Sequence, residues 1–577
     1  MNKQAILHIP ESKYCYPINQ NTLVLRLRMD KGDCVDRVEV VYGCKYRFYL
    51  EKETAVMEAK YEDDLYTYYE IQLELKDVRF VYVFQIWKDQ KCYYFSEDGI
   101  TTTYDFNLSY YNSFQVSYIN KSDIHEVVDW MRGTVFYQIF IDRFYQGSVD
   151  KNTDYINLDW GNIPNPKSFA GGDIPGIVQK LDYLQGLGVN GIYLTPVFKS
   201  ISNHKYDISD YKNIDEHFGT NEEFKLLVNE VHKRGMKIVL DAVFNHSSNL
   251  LPQFQDVVQK GKESEFFDWF MIRGDQVDTE NINYEVFSSC DYMPKLNTNN
   301  KGLQDFLLDI ATYWIAEYEI DGWRLDVSDE VSHSFWRRFR NKVKELKPEC
   351  VIIGENWHDA YSYLQGDQYD SIMNYAFTKA CLDYYAFEKF SAKEFAEKLN
   401  HLLMRNNGQV NAMMMNLLDT HDTDRFYTSV HKNEDRLLSA IAVMMLYVGA
   451  PCIYYGTELC LEGGYDPDNR RCFDWEESHW DLSFMQKLKT LISLKQLPAL
   501  QKGDIRITYD EKLCYISRRY HSTEILLVVN QSGETVELNK TGKLLIANNL
   551  KEDTNLLMDG FVVFEMERGV PIYEENI

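Results

Sequence analysis

Residues 1 to about 125 alternate apolar and polar positions with a period of two. Leu23, Leu25, Leu27 and Met29 do so in NTLVLRLRM, Tyr69, Ile71, Leu73 and Leu75 in YYEIQLEL, and VRFVYVFQIW and CYYF follow. Successive strand side chains point to opposite faces, so the pattern predicts short strands and, with charged turns between them, a β-sandwich. From about residue 134 strands alternate with helices. VFYQIFI (135–141) and NGIYLT (190–195) flank a helix carrying Ile177, Leu181, Leu184 and Leu187 at helical spacing. KIVLDAVF (237–244) follows a second helix with Phe224, Leu227, Val228 and Val231. Thr220 and Glu223 stand in capping-box positions and Gly235 in a stop position, which fixes the limits of that helix. DGWRLDV (321–327), CVIIGE (350–355), DSIMNY (370–375), AMMMNLLD (412–419) and APCIYYG (450–456) complete a set of eight strands. Strands spaced by helices predict an α/β chain built on a closed parallel (β/α)8 TIM barrel.

The gap at about 247–300 is too long for a plain loop and is expected to form a subdomain inserted after the third strand. KLCYISRR, EILLVVN and GFVVFEM return to alternation in the tail. The expected domains are an N-terminal β-sandwich over 1–125, the barrel over 126–500 including the insert, and a C-terminal β-sandwich over 501–577.

A net charge of −27 disfavours nucleic acid and anionic membranes as partners, because both recruit positive surfaces. No run of eighteen apolar residues and no basic-then-apolar leader is present, so the expected location is cytoplasmic. The 11 cysteines are scattered without a CxxC pair, which suits reduced thiols. Aromatic side chains make up 14 % of the chain, a composition that allows stacking on sugar rings without requiring it.

The chemistry sits in GWRLDV (322–327), IIGENW (352–357) and LLDTHDTDR (417–425), which offer Asp326, Glu355 and Asp422 at or just past strand ends. In a barrel of this kind such positions converge on one mouth. Cleaving a glycosidic bond with retention needs one carboxylate to attack the anomeric carbon and one carboxylic acid, about 5–5.5 Å away, to protonate the leaving oxygen. Arg324 and Asp326 share a strand face, so the guanidinium is expected to hold Asp326 ionised. Glu355 is expected against a partly apolar wall that keeps it protonated. His246, in DAVFNH (241–246), and His421 are expected to supply hydrogen bonds to ring hydroxyls. A lone Asp at a strand end is more often a helix cap, and a lone His or Trp in a barrel is more often structural. Charges inside otherwise buried strand patterns are costly without partners, and their conjunction favours the functional reading.

These segments resemble the conserved blocks of the α-amylase superfamily, glycoside hydrolase family thirteen, with GIYLTP (191–196) as a further block. The resemblance spans about 134–475 and implies Asp326 as nucleophile, Glu355 as acid/base and Asp422 as transition-state stabiliser. It implies sugar contacts from Arg324, His246 and His421 and a stacking platform at Tyr206 in NHKYD (203–207). MPKLN (293–297), the N-terminal sandwich and GGYDPDNRR (463–471) are similar to the neopullulanase, cyclomaltodextrinase and maltogenic amylase group. That group implies Asp466 and Arg470 on the non-reducing side of the cut, Trp357 and Glu330 on the acceptor side, and a homodimer formed through the N-terminal domain. The implied substrates are cyclodextrins, pullulan and short maltodextrins cut at α-1,4 bonds, with transglycosylation as a side activity and α-1,6 cleavage left open.

No cofactor is expected for the chemistry. The group's structural calcium has Gly171 and Asp173 as surviving candidate ligands, but its Asn-Gly-Asp loop reads Tyr145-Gln146-Gly147-Ser148 here. Losing a carboxylate weakens a hard-cation site. DVSDE (326–330) stands for the commoner DVANE, and Asn356 replaces a common aliphatic residue. An oligo-α-glucosidase or glucanotransferase on the same scaffold is the second reading, against which MPKLN speaks. A catalytically inactive amylase-like binding protein is the third, against which the intact carboxylates speak.

Overall fold

Eight short parallel strands organise the larger part of the chain in the computed structural model, which describes residues 1–539 and 542–567. They are β1 Phe136–Ile139, β2 Gly191–Leu194, β3 Lys237–Ala242, β4 Gly322–Leu325, β5 Val351–Gly354, β6 Ser371–Ile372, β7 Met415–Leu417 and β8 Ala450–Tyr454. Their hydrogen-bonded order is β6-β5-β4-β3-β2-β1-β8-β7. A parallel bridge between Met373 and Met415 joins the two ends, so the sheet closes into the expected (β/α)8 barrel. Every strand residue except Lys237 is buried. A parallel sheet covered on both faces selects such uninterrupted apolar runs.

The second predicted helix spans Asn221–Lys233 with a complete capping box: Glu223 N–H donates to Thr220 Oγ1 at 3.2 Å and Thr220 N–H to Glu223 Oε2 at 2.8 Å. Gly235 follows with φ of 70°, a left-handed conformation that glycine adopts without strain. β7 is shorter than AMMMNLLD suggests, because Ala412 and Met413 belong to a helix over Gly408–Met413. No polar break separates that helix from the strand, so the apolar run hides the boundary.

The insert after β3 holds a helix over Pro252–Lys260 and a hairpin of Val286–Phe287 with Cys290–Pro294. It is fastened to the segment after β3 by Ser247 N–H to Pro294 O at 3.1 Å and Leu296 N–H to Asn245 O at 2.9 Å. The insert therefore stands where β3 delivers its functional side chains.

The chain divides into two compact units. One contains Met1–Val127, Phe390–Asn411 and Ile505–Ser517; the other contains Val128–Lys389, Ala412–Asp504 and the chain from Arg518. In the first, nine strands form one antiparallel sheet that turns on Glu53–Glu62. The first half of that strand pairs with Arg37–Cys44 and the second half with Tyr66–Glu74. Leu23, Leu25, Leu27 and Met29 are buried in its core as their alternation requires. The helix Ala392–Leu403 belongs to this unit and is tied to the sheet by Lys31–Glu397 at 2.6 Å and Asn400 Nδ2–H to Glu62 O at 3.0 Å. At the C-terminal end of the other unit, Asn555–Glu567 pairs antiparallel with Thr523–Asn530 and with Lys543–Lys551. The last stretch of the expected C-terminal sandwich, 568–577, lies outside the described residues. No helix among the described residues is long and apolar enough to cross a membrane.

Candidate active site

The residues immediately after β4 and β5 are Asp326 and Glu355, and Asp422 lies in the segment after β7. Arg324, inside β4 and wholly buried, gathers them. Its Nη1 lies 2.8 Å from Asp326 Oδ1 and 3.0 Å from both oxygens of Asp241, its neighbour in β3. Its Nη2 lies 2.9 Å from Glu355 Oε2 and 4.0 Å from Asp422 Oδ2. Arg470 adds a second guanidinium, 3.4 Å from Asp422 and 3.0 Å from Asp466.

This sharing changes the electrostatics expected from the sequence. Arg324 divides its charge among several carboxylates, and burial together with Glu355, Asp241 and Asp422 outweighs it, pushing Asp326 well above the usual carboxylate range. Burial likewise raises Asp422 and lifts Asp241 to about 6. Carboxylates crowded in this way titrate as a group and retain protons to a higher pH than any would alone. The apolar wall expected around Glu355 is also corrected. Its Oε2 accepts Val327 N–H at 2.8 Å besides facing Arg324, and its Oε1 accepts Trp357 Nε1–H at 3.3 Å. The indole of Trp357 is in turn fixed flat on Tyr375, with ring centroids 3.7 Å apart and planes 5° apart. Ser328, which interrupts the commoner DVANE, donates its hydroxyl to the Glu355 carbonyl at 2.6 Å and so anchors the end of β5 from β4.

The sugar-contact candidates surround this cluster. Tyr206 donates to Asp241 Oδ2 at 3.0 Å, and its hydroxyl lies 2.5 Å from His421 Nε2. The Gln138 amide, 2.7 Å from His421 Nδ1, holds the other side of that ring, leaving Nε2 3.1 Å from Asp422. His246 stacks on Phe287 of the insert, with centroids 4.5 Å apart. Burial holds His246 down at about 3 and His421 well below the ordinary imidazole value. Both rings are therefore expected to stay neutral, with Hε1 NMR shifts flat between about pH 5 and 8, the window in which a free histidine titrates. A midpoint inside that window for either ring would contradict the burial argument.

A cleft of about 710 Å³ opens over the cluster. Tyr206, His246, Asp326, Glu330, Glu355, Trp357, Asp422, Asp466 and Arg470 all line it, while Arg324 and His421 lie beneath. Trp357 is 46 % exposed at its rim, and Glu330 pairs with Lys295 of MPKLN at 3.0 Å. Four participants were not singled out from the sequence: Asp241, Gln138, Phe287 and Tyr465, the last 74 % exposed at the rim. Asp241 carried the same signal as Asp326, a carboxylate within an apolar strand pattern; the others had none. Gly171 and Asp173 do not line the cleft; Asp173 caps the helix Ile174–Leu187.

The arrangement agrees with what the chain resembles. Residues 138–496 match the family model of the α-amylase catalytic domain, and residues 1–120 that of the α-amylase N-terminal ig-like domain. The chain is 42 % identical to a cyclomaltodextrinase of Thermoanaerobacter pseudethanolicus, covering 96 % of this chain and 98 % of the relative. It is 39 % identical to a maltogenic α-amylase of Bacillus acidopullulyticus, covering 93 % of each. A solved structure described as a cyclomaltodextrinase superposes with a TM-score of 0.89 at 34 % identity over 98 % of both chains. With the eight-stranded barrel and its carboxylate-lined mouth, these matches establish that the chain belongs to the α-amylase family of glycoside hydrolases, in the neopullulanase, cyclomaltodextrinase and maltogenic amylase group.

Proposed function

We propose that this enzyme hydrolyses cyclodextrins, short maltodextrins and pullulan at α-1,4 glucosidic bonds by double displacement with retention. The observation that carries the mechanism is the Arg324 guanidinium bridging Asp326 and Glu355 at 2.8 and 2.9 Å. One guanidinium between the two carboxylates supports the short spacing, about 5–5.5 Å, that a retaining pair needs. Asp326 attacks the anomeric carbon while the bond from that carbon to the leaving oxygen breaks, and Glu355 gives its proton to that oxygen. Water then attacks the same carbon, returns a proton to Glu355 and releases Asp326. Glu355 Oε2 is taken by Arg324 and Val327, so Oε1, held by the longer Trp357 bond, carries the proton. Sugar hydroxyls entering the cleft replace the carboxylate contacts of Arg470 and His421 and meet His246 at its wall, and Asp422 strengthens its hold as the ring flattens towards the oxocarbenium-like state. Arg324, the cation nearest to Asp326, is the group that favours its reactive anion against the burial that disfavours it.

Asp466 and Arg470 bind the non-reducing side and Trp357 and Glu330 the acceptor side, where an incoming sugar competes with water and gives transglycosylation. The N-terminal domain pairs two copies, which a sedimentation experiment reads directly. All 11 cysteines being free thiols supports a cytoplasmic location. The substrate reading is tested by chromatography of products from cyclodextrin, maltotriose, pullulan and starch in parallel. Cyclodextrin and pullulan are expected to be consumed faster than starch. Starch degraded fastest would sink the substrate assignment, and single glucose release from chain ends would favour the oligo-α-glucosidase reading.

A further inference from the structure

The loop that follows β1 returns to the helix Ile174–Leu187 through the two residues that the family resemblance implies as calcium ligands, Gly171 and Asp173. Here their oxygens already share a cation. The Lys151 ammonium lies 2.8 Å from Asp173 Oδ2, donates to the Gly171 carbonyl, and reaches the His217 carbonyl at 3.4 Å. Its side chain is only 10 % exposed, so the nitrogen is held among these oxygens and not in solvent.

The donor set does not fit a metal. Asp173 Oδ1 accepts the N–H groups of Gly147 at 2.9 Å and Gly176 at 2.8 Å, and Oδ2 accepts Ser148 N–H at 3.1 Å as well as Lys151. A carboxylate offers about four lone-pair sites, and all four are in use. Calcium takes about six to eight oxygens at roughly 2.3–2.6 Å. To enter, it would have to expel the ammonium and strip backbone donors from Asp173, while Gln146, Gly147 and Ser148 bring no carboxylate to replace them. Asp142, the other buried acid of this region, is similarly engaged by Ala170 N–H, Gly171 N–H and Arg143 Nε–H at 2.6–3.2 Å.

We infer that Lys151 is the resident cation of this fold, a tethered ammonium that performs the bridging the related enzymes assign to a metal, and that the stability of this enzyme is therefore independent of calcium. The bridge joins three segments. Asp173 caps the helix, Gly171 closes the loop, and His217 belongs to the stretch that follows the platform residue Tyr206. Tyr155 reinforces the junction by stacking on His217 at 3.7 Å and donating to its carbonyl at 3.2 Å. On the other face of the His217 segment, fully buried Lys205 lies 3.0 Å from Asp215 and 3.4 Å from His217 Nδ1, and the next residue is Tyr206. A covalently attached cation cannot be lost to dilution or to a chelator, which is the physical difference from a bound ion.

Thermal melting of the full-length enzyme in excess EDTA and in millimolar calcium chloride, read by circular dichroism, tests the inference independently of activity. The wild-type Tm is expected to agree within about 1 °C in the two buffers. Lys151→Met leaves Asp173 buried without its counter-charge and is expected to melt about 3 °C lower in both. A wild-type Tm that falls in EDTA, or calcium uptake by the metal-free wild type in a calorimetric titration, overturns the inference, as does Lys151→Met melting like wild type.

Discussion

Asp326→Asn is expected to lower kcat by about 10⁴-fold or more on every α-glucan, with folding intact. The amide keeps the size of the side chain and its place beside Arg324 Nη1 but cannot form the glycosyl ester on which the first displacement depends. The stability effect has a definite sign. Burial and three neighbouring acids push Asp326 upward against one guanidinium, so its anion is a strained member of the cluster. Removing that charge relieves the repulsion while Asp241, Glu355 and Asp422 still face Arg324. The Tm of Asp326→Asn should therefore equal or exceed that of the wild type, a pattern expected where a site is strained for function. A variant retaining a tenth of native turnover would remove Asp326 from the reaction. A Tm several degrees lower would show that the charge supports the fold.

Glu355→Gln separates the two carboxylates by their dependence on the leaving group. On maltodextrins a loss of about 10²–10⁴-fold in kcat is expected, the range for removing a general acid. On maltosyl fluoride, whose leaving group departs without protonation, the first step should be nearly unaffected, whereas Asp326→Asn should fail on both substrates. Equal losses on both substrates would show that Glu355 acts through geometry and not as the acid. The structure gives this alternative a concrete form, since Glu355 also braces Val327 and Arg324.

Local pattern carried far into this protein. The alternation of Leu23, Leu25 and Leu27, the capping box of Thr220 and Glu223, and the apolar runs at Phe136–Ile139 and Val351–Gly354 each depend on a few neighbouring residues and read correctly. So did the gathering of Asp326, Glu355 and Asp422, because parallel strands deliver their ends to one mouth. Boundaries failed where no polar residue marked them, as at Met413 before β7.

The sequence by itself determined the element types, the closed barrel and the side chains available at its rim, since periodicity and strand-end position are set within each segment. Only the tertiary structure decided what those side chains experience. Arg324 is shared with Asp241 as well as with the expected acids, Glu355 meets N–H donors in place of an apolar wall, and Lys151 fills the cradle of Asp173 and Gly171. Each of these depends on charges and donors summed over segments that are remote along the chain, and electrostatic sums of that kind exist only once the segments are packed together.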